Sequence, residues 1–177
     1  ASGRSHSRIV SHGLAQSTSP DAWRAMIEDN VLGVLHTVNA ALPHLRAAES
    51  ADIINLSSMS GRRRASVAMG LYAASKFAVH VISDNLREEL APDGVRVTII
   101  CPGFVTTDIS VNALTKDGSA QGTMDDAQAA GMPPDECAKR ILRAVAHDKN
   151  EVYIGGREIM GVHINRFAPG LFNRIIR

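Results

Sequence analysis

A chain of 177 residues that is 45% hydrophobic and 21% charged carries enough apolar mass for one globular core, so a single domain over residues 1–177 is expected. Its net charge of +1 provides no concentrated basic surface, which speaks against nucleic acid and anionic membrane as partners and leaves small molecules. Two cysteines, Cys101 and Cys137, stand far apart in strand-like and helix-like surroundings and suggest neither a disulfide framework nor a zinc site. No apolar run approaches the ~20 residues of a membrane-spanning helix, and the polar, basic first residues lack an apolar signal core, so a cytoplasmic location is expected.

After a start rich in Gly, Ser, His and Arg, Thr18-Ser19-Pro20-Asp21 marks the beginning of a helix: a hydroxyl cap, a proline in the first turn and an acid against the dipole. Trp23, Ile27, Val34, Val38 and Leu45 recur at helical spacing and predict one long helix to about Ala48 despite Pro43, with Asn30 inside its apolar stripe. The run Ala51-Asp52-Ile53-Ile54-Asn55-Leu56-Ser57 alternates little, as a central parallel strand buried on both faces would. A loop from Ser58 to Gly70 leads to a second helix, Leu71 to about Ala91, where Ala73, Ala74, Ser75 and Ala78 allow close packing and Pro92-Asp93-Gly94 ends the run. Val95 to Cys101 is the next β-branched strand, closed by Pro102-Gly103. Helix, strand, helix, strand at this spacing predicts parallel βαβ units, hence an α/β fold with a doubly wound parallel sheet.

Residues 106–132 turn polar and small and form a candidate mobile lid over a substrate. Pro133-Pro134-Asp135 opens a third helix to about His147, Glu151 to Ile154 is a last short strand, and Gly155-Gly156 leads into a basic, apolar tail over residues 157–177. That tail has the make-up of an interfacial helix, but Pro169-Gly170 interrupts it, so packing on the domain or on a sister subunit is the expected arrangement.

Tyr72 and Lys76 stand four apart on the second helix and project from one face, a pairing suited to acid/base work. A free phenol has a pKa of ~10, too high for a base at neutral pH, and an adjacent positive charge lowers it. Ser57 and Ser58 fall where the first strand ends, and open α/β sheets build their sites at the carboxyl ends of strands. Ser58 could donate to a substrate oxygen and steady a developing alkoxide, or simply cap the strand end. Asn30, if buried, needs a polar partner: a core water, a backbone carbonyl, or a water linked to the lysine in a proton relay.

Asn30, Ser58, Tyr72 and Lys76, in this order and spacing, resemble the pattern of the short-chain dehydrogenase/reductase family. The surrounding stretches Asp29-Asn30-Val31-Leu32-Gly33, Asn55 to Gly61, Tyr72-Ala73-Ala74-Ser75-Lys76 and Cys101 to Asp108 are similar to successive blocks of that family. The resemblance implies a Rossmann-like fold and NAD(P)-dependent exchange of a hydride with an alcohol or carbonyl substrate. It implies Tyr72 as the general acid/base, Ser58 as holder of the substrate oxygen, Lys76 as ribose binder that lowers the Tyr72 pKa, and Asn30 as anchor of a relay water. It assigns Pro102, Gly103, Val105 and Thr107 to the nicotinamide end of the cofactor, and a homodimer or homotetramer built on the two long helices.

The family's glycine-rich turn, which brings a helix N-terminus to the cofactor pyrophosphate, has no counterpart in the 177 residues, and neither does the residue that chooses NAD or NADP. Three parallel strands are expected where the family has seven, so the sheet would be incomplete at its N-terminal side. Either the residues belong to a longer polypeptide, the reading adopted here, or the protein is short and acts as a non-catalytic interaction subunit. Arg62-Arg63-Arg64 could draw an acidic or phosphorylated substrate, although a solvated charged loop is the plainer expectation, and His36, His44, His80, His147 and His163 show no metal-ligand spacing and are expected to join no carboxylate cluster.

Overall fold

The computed structural model describes residues 14–62, 69–113, 115 and 119–175. Helix α1 (Pro20–Ile27) starts as expected: Ser19 caps it, its hydroxyl accepting from the Ala22 N–H at 3.2 Å, with Pro20 in the first turn and Asp21 paired to Arg24. It runs on through a π-turn (Glu28–Leu32) into α2 (Gly33–Ala47), which holds Pro43 without ending. The single long helix is therefore right in extent but carries a wide turn, and Asn30 sits in that turn. Such turns recur at functional positions.

Strand β1 (Ala51–Leu56) pairs in parallel with β2 (Val95–Pro102), from Ala51 opposite Val95 to Leu56 opposite Ile100. Strand β3 (Glu151–Ile154) pairs in parallel on the other side of β2, from Ile99 opposite Glu151 to Pro102 opposite Ile154. The order β1-β2-β3 makes β2 the strand covered on both faces, and Ile99, Ile100 and Cys101 are fully buried. Helices α2 and α3 (Gly70–Leu90) cover one face through Val38, Ile53, Leu90, Val95 and Val97. Helix α5 (Pro134–Ala146) covers the other through Cys137 and Ala144 against Ile100 and Ile154. The α/β fold with parallel strands and helices on both faces is as the sequence predicts, with the strand layout of a Rossmann-like sheet.

Among the described residues β1 forms one side of the three-stranded sheet, consistent with the incomplete sheet expected; its burial alternates, and Ile54 and Leu56 are 39% and 44% exposed. Alternation was masked in the sequence because both faces carry apolar residues; only the layer arrangement tells which face is covered.

Helix α3 passes through a short 3₁₀ turn and ends at Gly94, whose φ of 72° is the left-handed geometry that favours glycine. Between β2 and α5 the described part of the expected lid folds back on itself: the Thr106 N–H donates to the Met132 carbonyl, and a short helix α4 (Asp126–Ala129) lies within the segment. Ile109 and Ala113 from this segment pack on Leu71 and Tyr72. The tail forms α6 (Glu158–Phe167) and α7 (Pro169–Ile175), broken before Pro169 as the sequence predicts. Val162 and Phe172 bury into the domain, whereas Met160, Phe167, Leu171 and Ile175 remain exposed. No helix among the described residues is long and apolar enough to cross a membrane. Arg63 and Arg64 of the arginine run lie outside the described residues.

Candidate active site

The carboxyl end of β1 turns sharply, and that turn builds the site. The Ser57 N–H donates to the Ile100 carbonyl at 2.8 Å, and its hydroxyl donates to the Lys76 carbonyl at 3.0 Å, fastening the turn to β2 and α3. Ser58 follows in extended conformation and caps a 3₁₀ turn (Met59–Gly61), its hydroxyl accepting from the Ser60 N–H at 3.1 Å. Gly61 makes the fastening possible: a β-carbon there would stand 2.8 Å from Ser57 Oγ and 2.9 Å from the Lys76 carbonyl oxygen. Gly61→Ala should therefore destabilise the fold by about 2 kcal/mol, the range of overpacking a tight site. The check is a lower denaturant midpoint at unchanged slope.

Tyr72 and Lys76 stand one turn apart at the start of α3, both buried, with Lys76 Nζ 5.7 Å from the centre of the Tyr72 ring. Burial raises the Tyr72 phenol above its ordinary value, and a hydrogen bond with the Ser58 side chain pulls it part of the way back. Lys76 is 4% exposed and donates to the Leu56 carbonyl at 3.1 Å; burial lowers its pKa to about 8. Lys76 thus donates to a backbone carbonyl, and the net direction for Tyr72 is upward, burial being the larger cause.

Asn30 is fully buried in its π-turn, and its amide donates to Met26 Sδ at 2.9 Å and Ser75 Oγ at 3.1 Å. The Ser75 hydroxyl in turn donates to the Tyr72 carbonyl at 2.8 Å. One polar partner opposite Asn30 is therefore a serine side chain on α3, which the sequence did not signal. Asn30 is thereby tied to the backbone of the tyrosine-bearing turn, and it does not line the cavity described next.

Ser58, Tyr72, Lys76, Pro102, Gly103, Val105 and Thr107 share one cavity of about 330 Å³ at the carboxyl ends of β1 and β2. Gln128 and Glu158 also line it, although neither has a site role assigned from the sequence. Gln128 on α4 is buried, donates to the Val105 carbonyl, and donates to Thr107 Oγ1 at 3.3 Å, so it fixes the loop after β2. Glu158, first residue of α6, rests its carboxylate where β-carbons on Gly103 or Gly155 would collide with it. No sequence signal marked Gln128, since a four-residue helix has no period to read; the Gly155-Gly156 pair just before Glu158 was the available hint for the latter.

A second polar group lies beneath α3. His80, Cys101 and Glu151 bring possible ligand atoms within 4.8 Å of one another, so His80 does join a carboxylate, which distant sequence positions could not reveal. Both carboxylate oxygens of Glu151 already accept from Arg62, at 2.8 and 2.7 Å, and the guanidinium's charge opposes a cation there. Arg62 is thus a partner of the core and not part of a solvated, substrate-facing loop.

The model of the family described as short chain dehydrogenase matches residues 9–118. Among curated proteins, the chain is 34% identical over 169 residues to dehydrogenase/reductase SDR family member 7B of Bos taurus, covering 95% of this chain and 52% of that protein. It is 37% identical to a dehydrogenase/reductase SDR family protein 7-like of Anopheles gambiae over 146 residues, 82% of this chain and 46% of that one. Among solved structures, a short-chain dehydrogenase from Streptomyces avermitilis superimposes with a TM-score of 0.75 at 23% identity, covering 94% of this chain and 66% of that one. A short-chain dehydrogenase from Burkholderia cenocepacia in complex with NADP gives 0.73 at 24% identity, covering 95% and 68%. The chain belongs to the short-chain dehydrogenase family. It spans about half the length of the curated relatives it matches.

Proposed function

We propose that the polypeptide containing this chain interconverts an alcohol and a ketone or aldehyde with NAD or NADP, Tyr72 serving as general acid/base. The observation that carries this reading is the single cavity lined by Ser58, Tyr72 and Lys76 together with Pro102, Gly103, Val105 and Thr107, Lys76 standing one turn after Tyr72 on α3. The cavity's mix of hydroxyls, a buried ammonium and glycine backbone fits the nicotinamide-ribose end of a dinucleotide, and the Burkholderia cenocepacia relative is a complex with NADP. When bound, the nicotinamide supplies or accepts the hydride. Ser58 then holds the substrate oxygen within reach of Tyr72, whose phenol keeps its proton at neutral pH and can hand it to a developing alkoxide. Lys76 carries charge only partly near pH 8 and binds ribose hydroxyls in this reading. Asn30 acts through Ser75 on the tyrosine turn and anchors the relay water.

The segment over residues 106–132 would act as a lid, since Ile109 and Ala113 close over Tyr72. Phe77 and Val81, exposed on α3, suit the contact of a cytoplasmic homodimer or homotetramer. Pyrophosphate binding would fall to residues outside this chain, which is why the test uses the full polypeptide. Mixed with a panel of ketones and aldehydes, it should consume NADH or NADPH and should quench or shift the fluorescence of one of them on binding. Absence of binding to both cofactors would favour the interaction-subunit reading instead.

A further inference from the structure

The geometry points to the Arg62–Glu151 pair as the clamp that positions the catalytic serine turn. Arg62 is the residue that leaves the 3₁₀ turn begun by Ser58: its N–H donates to the Met59 carbonyl at 3.0 Å, directly after the Gly61 N–H donates to the Ser58 carbonyl at 2.9 Å. Its guanidinium then grips Glu151 through both oxygens, Nε to Oε1 at 2.8 Å and Nη2 to Oε2 at 2.7 Å. A two-pronged bond of this kind fixes direction as well as distance, which a single contact or a lysine cannot do.

Glu151 is itself immobilised. It opens β3 opposite Ile99, and its Oε1 also accepts from the Tyr153 hydroxyl at 2.7 Å. His80 of α3 stands 4.0 Å away, and its Nε2 lies 3.4 Å from Cys101 Sγ on β2. The anchor is thus shared by β2, β3 and α3, and His80 sits one turn beyond Lys76 on α3. Burial pushes the Glu151 carboxyl up, but hydrogen bonds from Arg62 and Tyr153 prevail and hold it below its ordinary range, so the pair stays charged at neutral pH. Both side chains are partly buried, at 31% and 24% exposure, which lifts this pair above an ordinary surface ion pair. Neither residue lines the cavity, so both act through Ser58 as positioning residues.

The test compares the full polypeptide with Arg62→Met, Arg62→Lys, Glu151→Gln and the Arg62→Met/Glu151→Gln double variant. Amide hydrogen exchange is expected to speed up by about tenfold over residues 57–62 in either single variant and to stay unchanged in the middle of α3. Turnover should fall about tenfold through misplacement of Ser58, with cofactor affinity unaltered and Arg62→Lys intermediate. The double variant should be no worse than the singles, because the two residues work as one unit. The turnover arm rests on the function proposed above, while the exchange arm does not and keeps its meaning if no substrate is found. Unaltered exchange over residues 57–62 in a folded single variant overturns the inference, and so does a double variant whose losses multiply; should Arg62→Met not fold, Glu151→Gln carries the same comparison.

Discussion

Replacing Tyr72 with phenylalanine is expected to lower turnover about a thousandfold, the scale of losing a positioned general acid/base, with little effect on stability. The ring stays packed against Met26, Leu71 and Ala113, so the variant removes a hydroxyl and leaves the core filled. Direction matters too. Because burial holds the phenol above its ordinary pKa, the protonated form predominates at neutral pH and can donate during carbonyl reduction. Alcohol oxidation needs the phenolate, so its rate should climb as the medium is made alkaline while reduction does not. Steady-state rates in both directions across neutral and alkaline pH, for parent and variant, check both statements. A Tyr72→Phe protein that kept near-parental turnover would remove this residue from the chemistry.

The second large effect is on stability in acid. The buried His80 ring faces Arg62, Glu151, Asp84 and Cys101, and its pKa is lowered from 6.5 to about 4, chiefly by burial and next by the Arg62 charge. The folded state therefore binds fewer protons than the unfolded state between these values, and stability is lost as pH falls from about 6.5 to about 4. A shift of this size corresponds to about 3 kcal/mol across the window. Depressed Glu151 adds to the loss in the same direction, since its charged form is the one the fold favours. Denaturant unfolding at steps between neutrality and pH about 4 should show this slope, and His80→Gln should flatten it. An equal slope in the variant would assign acid sensitivity to other groups.

Much of this was legible in the residues. The cap at Ser19, the helix of small residues after Tyr72 and the two β-branched strands each followed from local chemistry, and the structure has them within a residue or two. The four-residue pattern Asn30, Ser58, Tyr72, Lys76 was recognisable because its spacing is fixed by one strand and two helices. What stayed hidden depends on contacts between distant segments. The exposed side of β1 at Ile54 and Leu56 depends on which elements cover the sheet, Ser75 as a partner of Asn30 on the crossing of two helices, and the Arg62–Glu151 pair joins positions 89 apart in the chain. The upward shift of Tyr72 was hidden for the same reason: spacing puts a lysine near a phenol, but only the fold shows that the ammonium is turned to the Leu56 carbonyl.

The most direct test of the central reading is label transfer by the full polypeptide from NADH or NADPH deuterated at C4 of the nicotinamide. The account predicts deuterium on the carbinol carbon of the alcohol product, in the parent protein and at a strongly reduced rate in Tyr72→Phe. Alcohol formed without deuterium from either face of the labelled ring, or no alcohol from any carbonyl despite bound cofactor, would contradict it.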